Sequence, residues 1–237
     1  MSSRRRSIKY DGALPATFTY NGSYSTNNNT SGATTMSATV SVGSEFADRV
    51  VALVFIWVSD ADASCVVNSV SIGGVACTIA AQGNTARAFT TRVGVCIALA
   101  RLPTGTTATY SVTFSSNHAN QIRMTTYSIA NLRSLVPTDI NSDSVAAASG
   151  SSPSNLVLDV PVKAAGIILA EAAHLRSPSS GSQSWGGDLT VEESFNVTNF
   201  YYSNAAAAFP LSPANASINC NQTANGADGV GVSAAFW

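Results

Sequence analysis

Val70-Ser71-Ile72-Gly73-Gly74-Val75-Ala76-Cys77-Thr78-Ile79 alternates apolar with small polar residues on either side of a two-glycine step. Side chains of a strand point alternately to opposite faces, so the pattern predicts two half-buried strands. It puts Val70, Ile72, Val75, Cys77 and Ile79 on one face and Ser69, Ser71, Ala76 and Thr78 on the other. Both glycines tolerate the positive φ that a two-residue hairpin loop requires, so the strands are expected to be joined by a tight turn at Gly73-Gly74. The runs that flank the hairpin, Arg49–Ser59 and Thr91–Leu102, are strand-like as well.

The same grammar continues along the chain. Strands are expected near 36–42, 48–59, 65–72, 75–81, 88–101, 107–115 and 121–130, and again near 155–162, 165–173, 189–202, 216–222 and 229–237. In Thr109–Ser115, Tyr110, Val112 and Phe114 share a face, and Val230, Val232 and Ala234 repeat the alternation near the end. Turn residues separate the runs at Pro103-Thr104-Gly105, Asn117–Asn120, Ser149–Pro153, Gly186-Gly187 and Asn225-Gly226. Many short strands with few helix signals predict an all-β antiparallel sandwich. Ala164–Leu175, rich in Ala, Leu and Glu, suits a short helix equally well. No internal repeat is visible.

Residues 1–35 differ from the rest, being rich in Ser, Asn, Thr and Gly without sustained periodicity. They read as an extended N-terminal arm, leaving 36–237 as the sandwich domain. The 237 residues suffice to bury roughly 70–75% of the unfolded surface. Charged residues make up 11% of the chain and the net charge is −1, against roughly 25% charged residues in typical domains. Ser, Thr and Asn must therefore supply the polar surface, which suits faces that pack against neighbours. Met1–Tyr20 lacks the apolar stretch of an export signal, and Val50–Val58 is too short to span a membrane. The chain is expected to fold in a cytosol and remain soluble. The four cysteines, Cys65, Cys77, Cys96 and Cys220, allow three disulfide connectivities, but inward-facing strand thiols in a reducing compartment are the preferred reading.

Chemical motifs are scarce. No Gly-x-Ser-x-Gly elbow, phosphate-cradling glycine loop or Cys-x-x-Cys pair occurs, and Gly181–Gly187 reads as a flexible loop. Glu171-x-x-His174 would share a helix face as metal ligands do, but in a strand this spacing places the two on opposite faces. Asp60-Ala61-Asp62 opens like a calcium loop, yet Cys65 and Ser71 occupy the positions of its glycine and bidentate glutamate. Glu171, Asp188, Glu192 and Glu193 are the candidates for a hydrolytic carboxylate pair. Trp185, Tyr201 and Tyr202 offer rings for stacking on a glycan, weighed against a place in the core or a subunit interface. Arg4, Arg5 and Arg6 are too few to predict nucleic-acid binding. Neither a cofactor nor a metal is expected. The sequons at Asn196 and Asn215 carry no weight without an export signal.

One resemblance gathers these features. The strand Arg49–Trp57, the hairpin Ser69–Thr78, Val93–Ala100, and Pro103-Thr104-Gly105 leading into Ala108–Phe114 follow one another in order. Met124–Ile129 then runs into Asn131-Leu132 and Pro137-Thr138-Asp139, followed by Asn155–Val162, and Gly229–Phe236 closes the chain. This order resembles the β-sandwich domains of tailed-bacteriophage virion proteins, among them head decorations, head fibres and tail fibres. The resemblance covers roughly residues 48–172 and the C-terminus; residues 1–35 and 176–226 match no pattern of it. It implies a sandwich of jelly-roll type and a non-enzymatic virion component, a capsid decoration or head fibre. Such a component would dock on other virion proteins through Arg4, Arg5, Arg6, Tyr10, Phe18 and Tyr20 of the arm. It also implies a homo-oligomer, by analogy a trimer. The alternative is a tail fibre or carbohydrate-binding module reading host glycans through Trp185, Tyr201 and Tyr202.

Overall fold

A computed structural model describes residues 14–27, 34–60, 65–85, 91–116, 119–145, 155–175, 183–186, 189–197, 200–209, 214–222 and 228–237. Every regular element among them is a β-strand, and every pairing is antiparallel. The first half contains β1 (Thr17–Asn27), β2 (Thr35–Ser41), β3 (Val50–Asp60), β4 (Val67–Ile72) and β5 (Val75–Ala76). It continues with β6 (Thr78–Asn84), β7 (Thr91–Arg101), β8 (Thr107–Phe114) and β9 (Ala119–Ala130). The second contains β10 (Asp139–Val145), β11 (Asn155–Val157), β12 (Val160–Val162), β13 (Gly166–Leu175) and β14 (Gln183–Gly186). Its remaining strands are β15 (Thr190–Val197), β16 (Phe200–Phe209), β17 (Ala214–Ala216), β18 (Asn219–Gln222) and β19 (Asp228–Phe236).

The turn at the centre of the sequence pattern forms as expected. Gly73 and Gly74 take φ of 58° and 78°, and Ile72 pairs with Val75 across them. The face assignment is right for Val70 and Ile72, which are buried. Val75, at the sheet edge, stays 39% exposed. The expected single strand 75–81 breaks at Cys77, where the chain passes from one sheet to the other. Ala164–Leu175 contributes a strand rather than a helix, and 189–202 is divided between β15 and β16.

The sheets form four layers. An outer sheet, β2-β8-β4-β5, covers an inner sheet, β1-β9-β3-β7-β6, which packs on a second inner sheet, β10-β19-β13-β16-β15. The short sheets β11-β18-β14 and β12-β17 close the far side. Three apolar layers fill the gaps. Val51, Leu53, Phe55 and Trp57 face the first outer sheet, while Val50, Val54, Ile56 and Val58 face the second inner sheet. This is why Val50–Val58 is apolar at every position instead of alternating: both of its faces are buried. Strand β19 is buried throughout but asymmetric. Val230, Val232, Ala234 and Phe236 fill the central layer, whereas Gly229, Gly231, Ser233 and Ala235 present a small-residue face to the outer strands.

The two halves repeat one winding. Replacing β1, β9, β3, β7 and β6 by β10, β19, β13, β16 and β15 turns one inner sheet order into the other. Likewise β2, β8 and β4 correspond to β11/β12, β17/β18 and β14, the second-half strands being broken into short pieces. The absence of a repeat in the sequence is thus corrected at the level of topology. Identical winding requires matching periodicity and turns, which different residues supply equally well.

The arm assignment is also corrected. Thr17–Asn27 of the stretch 1–35 is an edge strand, paired with β9 over its length with a bulge between Tyr20 and Gly22. A bulge and a run of Thr, Ser and Asn hide its periodicity. Residues 1–13 lie outside the described residues.

Candidate functional site

Polar side chains are rare inside the stack, so each one marks a place with a structural or chemical task. Glu171 and His174 are both fully buried on the central strand β13. Strand alternation separates them. Glu171 is in phase with Leu169 and Ala173 of the central layer, and His174 with Ile168 and Ala172 of the far layer. They do not form a ligand pair, and among the described residues no three His, Cys, Asp or Glu side chains come together.

His174 sits against the small-residue face of β19. A Cβ placed on its cross-strand partner Gly229 would lie 2.7 Å from its Cδ2. Burial pushes the imidazole pKa down to about 3, because the charged form would lose its hydration. The ring is therefore neutral near pH 7. Of the other carboxylates, Glu192 is the extra residue of a bulge opposite β16, Glu193 pairs with Asn204, and Asp188 lies outside the described residues. Asp60 ends β3, and the rest of its loop lies outside them too.

The glycan-stacking candidates lie on two sheets. Trp185 belongs to β14 and is half-buried against the far apolar layer, opposite Cys220. Tyr201 and Tyr202 belong to β16, with backbones paired to His174 and Ala173. The arm candidates divide similarly. Phe18 and Tyr20 are part of β1 and meet Tyr127 edge-on, at 5.9 and 6.2 Å between ring centroids. Arg4, Arg5, Arg6 and Tyr10 lie outside the described residues. None of the four cysteines forms a disulfide; Cys65, Cys96 and Cys220 are buried and Cys77 half-buried. Burial raises the Cys77 pKa to about 12 and that of Cys96 well above its ordinary value, so neither is a ready nucleophile.

The densest polar construction went unnoticed in the sequence. Arg49, fully buried at the start of β3, directs all five guanidinium N–H groups to backbone carbonyls. Nε donates to Leu102 O at 2.6 Å, Nη1 to Gly43 O and Ser44 O at 2.9 and 2.8 Å, and Nη2 to Thr104 O and Gly105 O at 2.8 and 2.7 Å. Desolvation lowers its pKa and the nearby Glu45 raises it. Glu45 Oε1 in turn accepts from Gly105 N at 2.6 Å. The cage ties the loop before β3 to the loop before β8. Its only sequence signal was a lone arginine heading an apolar strand, opposite a Pro-Thr-Gly turn.

A second polar knot joins the halves. Asn131, at φ 59°, donates twice: its N–H to Asp48 Oδ2 at 2.8 Å, and its Nδ2 to Pro15 O at 3.1 Å. Ala16 N donates to Ala165 O at 2.9 Å, and Arg101 Nη2 to Leu132 O at 3.0 Å. Arg133 and Lys163 both lie over the Trp237 ring, with their charged groups 4.1 and 4.8 Å from its centroid.

No family model matches the chain, and no curated protein matches it.

Proposed function

We propose that this chain is a non-enzymatic structural component of a phage virion, a capsid decoration or head-fibre protein. In this reading each half is wound as a jelly roll, its two sheets formed by interlocked Greek keys. The observation that carries the reading is the four-layer stack itself. Its polar side chains either tie loops together, as Arg49 does, or lie sealed between sheets, as Glu171 and His174 do. That arrangement suits a rigid block whose task is to present surfaces. The sparse charge of the chain fits surfaces made to meet other subunits.

Attachment falls to residues 1–13, since Thr17–Asn27 belongs to the sheet. Leu14 is 68% exposed where this segment joins the body. A deletion of residues 1–13 is expected to leave thermal stability unchanged while abolishing incorporation into particles of the source phage. Electron microscopy of those particles then locates the chain on head or tail. Normal incorporation of the truncated chain would overturn attachment through the arm, and absence of the chain from purified particles would overturn the virion role.

A further inference from the structure

An edge strand presents unpaired N–H and C=O groups, and proteins that stay monomeric guard such edges with charges, prolines or covering side chains. The two halves of this chain differ in that respect. In the second half, β10 carries Asp139 and Asp143 and is bridged to the outer strands, Asn141 Nδ2 donating to Asp159 O at 3.0 Å and Val157 N to Asp143 Oδ2 at 2.8 Å. Edge strand β12 contains Pro161, and β15 contains Glu192 and Glu193. In the first half, Gln82 on edge strand β6 covers Val67. Its Oε1 accepts from Val67 N at 3.1 Å, and its Nε2 donates to Val67 O at 3.2 Å.

The opposite side of the first half has none of these devices. Both of its sheets end there, in β1 (TFTYNGSYSTN) and β2 (TMSATVS), with no charged residue and no proline. Tyr24 of β1 holds the two edges side by side, its hydroxyl accepting from Ser41 N at 2.7 Å. No strand among the described residues pairs with the outer edge of β1. Among the described residues, the bulge near Tyr20 is what interrupts this edge. Beyond it, Gly22–Asn27 runs in unbroken register with Thr126–Gln121.

We infer that the outer edge of β1 pairs with the β1 edge of a second copy of this chain, antiparallel about a two-fold axis, joining two inner sheets into one. A two-fold interface sets a strand against itself, so an edge with charges of one sign repels its own copy and a neutral edge does not. The β1 edge meets that condition, whereas its topological counterpart β10, with two aspartates, does not. Tyr20, 37% exposed on the same strand, supplies an aromatic ring to cover at the contact. The pairing is independent of the virion reading, and it puts a two-fold contact where the resemblance implied a trimer.

Sedimentation of the full chain over a concentration series tests this, with hydrogen exchange measured alongside. The wild type is expected to dimerise, with slowed exchange at the amides of Gly22–Asn27 in the dimer. Ser25→Lys, at an exposed position of that segment, is expected to weaken dimerisation about a hundredfold and remove the protection, by opposing two like charges across the axis. Ser144→Lys on the guarded β10 edge is expected to leave both unchanged, and circular dichroism confirms that each variant is folded. A monomeric wild type, a trimer, or a dimer indifferent to Ser25→Lys would overturn the inference. Dimerisation that appears only after deletion of residues 1–13 would do so as well, since the edge would then be capped by its own chain.

Discussion

The first half of the molecule and the second follow one winding with different means of support. Between them the charge is unevenly divided: residues 1–130 contain nine Arg and Lys against five Asp and Glu, and residues 131–237 three against eight. The first half has long strands, eleven residues in each of β1, β3 and β7, and loops gathered around Arg49. The second half breaks the strands of its outer layer into pieces of three and four residues and packs that layer closely on glycines and alanines of β13 and β19. One topology can thus be stabilised by a charged peg through its loops or by close backbone approach. The comparison also shows that equivalent edges need not be equivalent surfaces, since β10 is guarded and β1 is not.

If the first half depends on its peg, Arg49→Met should have the largest effect. Five backbone carbonyls would lose their donor at once, and hydrogen bonds to a charged group contribute roughly 1.5–3 kcal/mol each, with incomplete additivity. A loss of roughly 4 kcal/mol or more is expected in urea unfolding, with Arg49→Lys recovering little because an ammonium has three donors rather than five. A small effect would remove the contrast between the halves.

Gly94→Ala probes backbone approach within the first half. A Cβ on Gly94 would clash with the six-membered ring of Trp57, which is itself buried and hemmed in by Phe55 and Phe114. Overpacking of this kind costs about 1–3 kcal/mol, and the upper end is expected here because the ring has nowhere to move. Gly229→Ala makes the corresponding test in the second half, against His174.

Acid should act first on the second half. The folded pKa of His174 is about 3, below the ordinary 6.5 of the unfolded chain, so the unfolded state binds the extra proton between these values. Stability is fully present above pH 6.5 and falls as the pH drops toward 3. The expected loss is about 2 kcal/mol between pH 7.5 and pH 5, measured as a shift of the urea midpoint. His174→Leu should flatten that dependence, and an unchanged slope would show that other groups carry it.

At the junction of the halves, Trp237→Ala removes a ring that two cations contact. It should lower the melting temperature by an amount corresponding to about 1 kcal/mol. The truncation of residues 1–13 should be the mildest change of all, within about 0.5 kcal/mol of the full chain. A truncation through Asn27 should destabilise strongly, because it strips β1 from β9 and takes Phe18 from Tyr127.

Several of these features were legible in the sequence. The hairpin at Gly73-Gly74, the strand Val50–Val58 and most strand positions could be read directly, and so could the separation of Glu171 from His174 once that stretch was taken as a strand. Three strands were not: Thr17–Asn27, because its bulge interrupts the alternation, Asp139–Val145, because both faces of this edge strand are partly open to water and are made of Asp, Asn and Ser, and Gln183–Gly186, four residues within the Ser- and Gly-rich stretch that was expected to be a loop. Arg49 looked like a strand boundary, since nothing near it in sequence shows that carbonyls 53 to 56 positions away will converge on it.

The sequence by itself determined that this protein is all-β, where most strands begin and end, and that its central strands are apolar on both faces. These properties follow from side-chain period and turn chemistry, which depend on residues a few positions apart. Only the tertiary structure decided that the strands form four layers instead of two, that the halves repeat one winding, and that Arg49, Glu171 and His174 are enclosed. Layering depends on which faces meet across the whole chain, and many different local patterns satisfy the same meeting.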